Sequence, residues 1–202
     1  MKVIGPKWQS CTTFGSSFGY LENDKYKSVK SVIHEMVEVI SRNGNFLVNI
    51  GPKADGTLVP EQVERLRAMG DWLKINGAAI YGSRYWKVSG QKKQHLVFTT
   101  NGNNLYAIRL EKSTEPFIIQ AAADWDKEQV KSVKLLGSDA EVKWKLTRKG
   151  LRIMPPEDLG SSQHAWSFEI VTNEDQHHPN VIVRDADKAL KRAKKVDLEG
   201  NE

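Results

Sequence analysis

The first part of the chain alternates between two hydrophobic periods. Between residues 28 and 41, apolar side chains recur at spacings of three and four, which is the pattern of an amphipathic helix. Ser28 is a suitable N-cap for this helix and Gly44 is a suitable stop. The next apolar run, from Phe46 to Ile50, does not alternate. It predicts a strand buried on both faces, as in a parallel sheet.

A second helix is predicted from residue 60 to residue 76. Pro60 fits the first helical turn, Glu61 and Glu64 suit the N-terminal end, and Asn76-Gly77 ends the pattern. The order of helix, buried strand and helix is an α/β pattern, but it is too short for a complete α/β domain. One side of this helix is predicted to present Val63, Leu66, Met69, Gly70 and Leu73.

From about residue 85 to residue 173 the pattern changes to short alternating runs. Two such runs flank Asn101-Gly102-Asn103-Asn104, which is a hairpin signal. Further strands are predicted in VKSVKLLG, EVKWKLTRKGLRIM and HAWSFEIV, with a tight turn at Lys149-Gly150. No helical period of any length occurs here, so the pattern predicts an antiparallel β-sandwich.

The predicted organisation is an α/β part over residues 1–84, a β-sandwich over 85–173 and a basic tail over 174–202. Residues 180–183 could add one edge strand, and we expect the rest of the tail to be mobile. Residues 184–195 contain six basic and two acidic residues, which accounts for most of the net charge of +5. A basic tail without a recognition motif argues against nucleic-acid binding.

The composition argues against several kinds of protein and of binding site. No run approaches the ~20 apolar residues of a membrane-spanning helix, and the first ten residues do not resemble a secretory signal. Cys11 is the one cysteine, which excludes an intrachain disulfide and a cysteine-based zinc site. The compartment is left open by these observations.

The stretch WQSCTTFGSSFGY contains Trp8, Phe14, Phe18 and Tyr20 among small polar residues and glycines. Aromatic planes beside hydrogen-bonding groups suit a sugar, which stacks through its C–H faces and needs partners for its hydroxyls. Core packing beneath a glycine-rich loop is the simpler explanation and stays open.

Other polar residues give weaker signals. His34 lies at the edge of an apolar helix face, and His177-His178 lacks the further ligands of a metal site. Asp124 and Asp126 are expected in a solvated loop. We predict no metal and no organic cofactor.

Three segments, in this order, resemble the α-L-fucosidases of glycoside hydrolase family 29. They are WQSCTTFGSSFGY, GNFLVNIGPKADGTL and EQVERLRAMGDWLKINGAAIYGSRYW, which resemble the end of that family's catalytic domain. The segments LYAIRL, VKSVKLLGSDAEVKWK and GLRIMPPE resemble its C-terminal β-sandwich. The resemblance covers about residues 4 to 172. It implies the C-terminal part of a (β/α)8-like barrel, with about two βα units, followed by an antiparallel β-sandwich.

The resemblance also implies an activity, the removal of terminal L-fucose from glycans with retention of configuration. Retention requires two carboxyl groups about 5 Å apart. In the family both would fall before Met1, so no catalytic residue is expected in this chain and the chain alone is expected to be inactive. Gln9 stands where many relatives have Glu, and other relatives have Gln there.

Three residues are carried over as candidate substrate-binding residues. Phe18 matches an aromatic residue that lines the fucose pocket in relatives, and Trp8 begins the same segment. Asn49 and Gly51 would lie at the end of the last barrel strand, which faces the active site in such barrels. We expect Asn49 to bond neighbouring backbone or side chains rather than the sugar.

Two alternatives accompany this hypothesis. The β-sandwich could be a non-catalytic carbohydrate-binding or structural module. The chain could also be one piece of a split enzyme, with a separate chain supplying the rest of the barrel. The expected partner in the main hypothesis is a fucosylated glycan, with no nucleic acid and no membrane.

Overall fold

The computed structural model describes residues 6–177, and its first part is built from two strands and two helices. In chain order these are β1 (Trp8–Thr13), α1 (Val29–Ser41), β2 (Gly44–Asn49) and α2 (Pro60–Asn76). Strands β1 and β2 pair in parallel, from Trp8 opposite Gly44 to Thr13 opposite Asn49. Their carboxyl ends therefore lie side by side. The hydrophobic pattern did not predict β1, because its polar residues form no apolar run.

Helix α1 begins as predicted but ends for a different reason. The Ser28 side chain accepts a hydrogen bond from the backbone N–H of Ser31, which confirms it as the N-cap. The helix ends at Ser41, and Asn43 takes the left-handed conformation with φ of 70°. The prediction of Gly44 as the stop was wrong. A Cβ at Gly44 would come within 2.7 Å of the Trp8 ring and of Val39, so its glycine makes room for that ring.

Helix α2 has the predicted bounds but a different buried face. Its buried residues are Gln62, Met69, Trp72 and Asn76, whereas Val63 is only partly buried. The prediction considered apolar residues alone. Two polar side chains are buried because each finds a partner, Gln62 on the backbone of Gly51 and Asn76 on the Ser162 hydroxyl.

Strand β2 is not buried on both faces in the part of the chain that the structure describes, so that prediction was wrong. Phe46 and Val48 pack toward the helices, but Leu47 is 48% exposed and Asn45 is exposed as well. The reason is that β1 and β2 form a two-stranded sheet, and no second layer from residues 6–177 covers its other face.

The second part consists of two antiparallel sheets. Its strands are β3 (Arg84–Gln91), β4 (Leu96–Asn101), β5 (Asn104–Arg109), β6 (Phe117–Ile119), β7 (Val130–Leu135), β8 (Lys143–Thr147), β9 (Gly150–Met154) and β10 (Trp166–Thr172). One sheet has the order β3-β4-β5-β10-β7 and the other the order β6-β9-β8. The predicted hairpin is confirmed, with Asn101 opposite Asn104. Strands β3 and β6 were not among the predicted strands.

Two hydrophobic cores hold the molecule together. The first lies between the two antiparallel sheets and includes Trp86, Phe98, Phe117 and Phe168. The second lies between the other face of the five-stranded sheet and the helices, and includes Ile33, Val37, Trp72, Tyr106 and Ile108. The indole N–H of Trp72 also donates to the carbonyl of Ala165 at 3.0 Å. The α/β part and the β part therefore share a core.

The start of the predicted tail packs on the five-stranded sheet. Gln176 is buried and donates to the Thr172 hydroxyl at 3.0 Å. The His177 ring packs edge-on against Tyr85, with ring centroids 4.7 Å apart. The strand predicted at 180–183 and the rest of the tail lie outside the described residues.

Candidate functional site

The carboxyl ends of β1 and β2 meet a loop, residues 14–27, that connects β1 to α1. The Thr13 hydroxyl accepts from the N–H of Gly15 and donates to the carbonyl of Ser17 at 3.0 Å. The Asp24 carboxylate accepts from the Ser16 hydroxyl at 2.6 Å and from the backbone N–H groups of Ser16 and Lys25. Short polar side chains thus fix the base of a loop that has no regular structure.

Asn49, the last residue of β2, bonds to the tip of this loop. Its amide nitrogen donates to the backbone carbonyl of Phe18 at 2.6 Å. Phe18 is 59% exposed, so this bond to its backbone leaves a large apolar side chain at the surface. The expectation that Asn49 bonds neighbouring backbone is confirmed, and the amide places the Phe18 ring beside the strand ends.

Gly51 lets the loop approach β2 closely. A Cβ at Gly51 would lie 2.8 Å from the carbonyl carbon of Gly19 and 2.9 Å from the nitrogen of Tyr20. The buried side chain of Gln62 accepts from the N–H of Gly51 at 3.1 Å and donates to its carbonyl at 3.3 Å. Helix α2, the end of β2 and the Phe18 loop are therefore joined at one glycine. The sequence pattern did not indicate Gln62, and the signal for it was an amide in the first turn of the helix that follows β2 in the chain.

Trp8 lies at the other end of the parallel pair. It faces Gly44 at the start of β2, five residues before the pairing of Thr13 with Asn49, and this separation is about 17 Å at the usual rise per residue. Its indole N–H donates to the carbonyl of Arg42 at 3.0 Å. The structure brings Phe18 and Asn49 together and does not bring Trp8 to them.

The other two aromatic residues of this segment have different surroundings. Phe14 is fully buried in the core beneath the sheet, as the packing explanation expected. Tyr20 is partly exposed, and the Lys53 ammonium lies 6.0 Å from its ring centroid. The exposed aromatic surface at the strand ends thus comes from Phe18 and Tyr20.

The carboxylates of Asp24 and Asp55, in the two loops that follow β1 and β2, are used in turns. Hydrogen bonds from the Ser16 hydroxyl and from the Ser16 and Lys25 N–H groups lower the pKa of Asp24. The backbone N–H and hydroxyl of Thr57 likewise lower the pKa of Asp55. A general acid at neutral pH needs a raised pKa, so neither carboxyl fits that task.

The weaker candidates do not assemble into a site. His34 is partly buried, with its Nε2 2.9 Å from the carbonyl of His164. Asp124 pairs with Lys87, and Asp126 accepts backbone N–H groups of its own turn. Residues 6–177 contain no group of three potential metal ligands. Nor does any helix in that range have the length and apolar character needed to cross a bilayer.

Known proteins resemble this chain in sequence and in fold. A model of the α-L-fucosidase family matches residues 1–78, and a model of the α-L-fucosidase C-terminal domain matches residues 90–171. The chain belongs to the α-L-fucosidase family. Tissue α-L-fucosidase from Bos taurus is 36% identical over 177 residues, which cover 81% of this chain and 36% of that protein.

Solved fucosidase structures share the fold of the chain. The Thermotoga maritima α-fucosidase in complex with fucose superposes with a TM-score of 0.72 at 31% identity, over 84% of this chain and 40% of that one. The α-L-fucosidase isoenzyme 1 from Paenibacillus thiaminolyticus gives a TM-score of 0.73 at 28% identity, over 83% and 40%. This fucosidase-family chain therefore spans well under half of the length of the relatives it matches.

Proposed function

We propose that this chain is the C-terminal part of a retaining α-L-fucosidase that removes terminal α-L-fucose from glycans. In this proposal β1-α1-β2-α2 is the end of a (β/α)8-like catalytic barrel, and the two antiparallel sheets are the β-sandwich that follows it. The family membership, the parallel pairing of β1 with β2 and the core between the antiparallel sheets support this assignment.

The observation on which the proposal chiefly rests is the bond between Asn49 and Phe18. In a barrel of parallel strands the active site lies at the carboxyl ends of the strands. The 2.6 Å hydrogen bond places an exposed aromatic ring at that end of β2. An exposed apolar ring beside polar groups suits the methyl-bearing face of fucose, with the hydroxyls bound elsewhere. Phe18 is therefore assigned to contact with the sugar, and Asn49 to positioning of Phe18.

The catalytic carboxyl groups are assigned to polypeptide outside these 202 residues. Retention needs a nucleophile and an acid/base about 5 Å apart. Asp24 and Asp55 are bonded within their own turns, and their lowered pKa values argue against the acid/base role. The relatives contain a larger part that this chain does not match, and both carboxyl groups are assigned to that part.

A second possibility is that the rest of the barrel is a separate chain. The open face of the β1-β2 sheet favours a partner in either case, because Leu47 is 48% exposed there and Cys11, opposite Leu47, is exposed too. Parallel strands are usually covered on both faces. Further barrel strands, from the same or another chain, would cover these side chains.

A direct assay tests the assignment of the carboxyl groups. The purified 202-residue chain is incubated with an aryl α-L-fucoside, beside a Phe18→Ala variant as the contamination control. We expect no turnover above blank, because the two groups that act in both chemical steps are missing. Turnover by the chain that drops in the Phe18→Ala variant would show that the carboxyl groups lie within it.

A further inference from the structure

The second part of the molecule carries a dense group of cations that the proposed activity does not use. Residues 143–152, KWKLTRKGLR, contain five basic residues and no acidic one. They occupy β8, the turn after it and β9. We call this group the basic face, and it consists of Lys143, Lys145, Arg148, Lys149 and Arg152.

The strand alternation directs the cations of β8 and β9 away from the core. Leu151 and Ile153 are buried between the two sheets, and Trp144 and Leu146 pack against the same core. The intervening residues Lys143, Lys145 and Arg152 therefore project from the opposite face of the three-stranded sheet. Lys143 and Lys145 are exposed, as are Arg148 and Lys149 in the turn.

The charges on this face repel one another. Lys145 lies directly opposite Arg152 in the antiparallel register of β8 and β9. Like charges in directly opposed positions destabilise a sheet. The Arg152 Nε is buried and finds no hydrogen-bond partner among the described residues. None of the five cations forms an ion pair within residues 6–177, whereas Lys134 pairs with Glu169 at 2.7 Å on the other sheet.

Protection of a sheet edge explains only part of this arrangement. Lysines on an edge strand discourage pairing with other chains, and β8 is an edge of the three-stranded sheet. The opposite edge, β6, is covered instead by side chains, since Gln94 both accepts from the N–H of Ile118 and donates to its carbonyl. Arg152 lies on the central strand β9, where no edge needs protection.

We propose that the basic face binds a sulfated polysaccharide chain. An extended polyanion would neutralise Lys145 and Arg152, which lie directly opposite each other, at the same time. Single-stranded nucleic acids are usually held by bases stacked on aromatic side chains. The outward positions of this sheet offer none, since they are Ile118, Lys143, Lys145, Thr147, Gly150, Arg152 and Met154. The proposal does not depend on the fucosidase activity.

Binding of the full chain to a heparin oligosaccharide, measured by calorimetry at about 50 mM salt, tests the proposal. The variant K143E/K145E is compared with K127E/K131E, which makes the same charge change on exposed lysines at and just before β7. The variant K191E/R192E tests the basic C-terminal residues. We expect roughly tenfold weaker binding, or more, for K143E/K145E and little change for both controls, because each lost contact removes counterion release.

Three results would overturn the proposal. The unsubstituted chain could fail to bind, all three variants could weaken binding equally, or single-stranded DNA of matched charge could bind more tightly than heparin. The single variant K145E tests whether a loss of heparin binding comes from a folding defect. It turns the repulsive pair with Arg152 into an attractive one, so its melting temperature should rise while its heparin affinity falls. A fall in the melting temperature would contradict the repulsion between Lys145 and Arg152 on which the proposal rests.

Discussion

Asn49 ends an apolar strand, and its side chain bonds to the backbone of Phe18 in a neighbouring loop. Asn49 is the one polar residue in the run from Phe46 to Ile50. In the structure it satisfies the carbonyl of Phe18, a loop residue 31 positions earlier in the chain. Sequence periodicity cannot find such a bond, because the distance along the chain carries no information about it. The resemblance to fucosidases indicated Asn49 and Phe18, and the structure supplied their contact.

Replacement of Asn49 by Ala tests this contact in the chain as it stands. Loss of the bond frees the tip of the Phe18 loop, so hydrogen exchange of residues 15–20 should become faster. Asn45→Ala is the matched control, because Asn45 lies on the same strand and is exposed. We expect a loss of about 0.5–1.5 kcal/mol in unfolding free energy for Asn49→Ala and almost none for the control. Equal exchange rates in the two variants would contradict the positioning role of Asn49.

The sequence predicted some helices and strands correctly and missed others, and each outcome has a physical reason. Helix α2 was placed correctly because Pro60 and Asn76-Gly77 mark its ends. Its buried face was misjudged because Gln62 and Asn76 are buried through hydrogen bonds, which hydropathy ignores. Strand β1 was missed since four of its six residues are polar and it forms no apolar run. Strand β6 has three residues, too few to show a period.

Three polar side chains form a row across neighbouring strands of the five-stranded sheet. Glu169 on β10 is nearly buried and accepts from the Tyr106 hydroxyl on β5 at 2.8 Å and from the Lys134 ammonium on β7 at 2.7 Å. Burial of the phenol, with Glu169 as its acceptor, raises the pKa of Tyr106 to about 12. The row joins three neighbouring strands by side chains as well as by the backbone.

The raised pKa of Tyr106 makes sheet stability depend on pH at the alkaline end. An unfolded tyrosine ionises near pH 10, whereas the folded one holds its proton to about pH 12. The contribution of Tyr106 is thus complete below pH 10 and is lost as the pH rises toward 12. We expect denaturant titrations to show a fall that is smaller in Tyr106→Phe, by roughly 1–2 kcal/mol. The exposed Tyr81→Phe variant should behave like the unsubstituted chain, and an equal effect in both variants would refute the assignment.

The two parts of the molecule differ in how fully their apolar side chains are covered. The antiparallel sheets enclose their own core, and the helices complete a second core against the five-stranded sheet. The β1-β2 pair leaves Leu47 at the surface, and Phe18 and Ile50 in the loops after the two strands are exposed as well. The hydrophobic pattern predicted a strand covered on both faces. That cover is absent from residues 6–177, and the relatives contain a larger part that this chain does not match.

The central claim is that this chain supplies the Phe18 rim of a fucose site whose carboxyl groups come from other polypeptide. Its most direct test is co-expression of the chain with the polypeptide encoded immediately upstream of Met1, followed by an aryl α-L-fucoside assay. The account predicts that turnover requires both parts and that Phe18→Ala lowers kcat/KM, while the exposed Tyr81→Phe leaves it unchanged. Full turnover with Phe18→Ala, or turnover by the upstream polypeptide alone, would contradict the account.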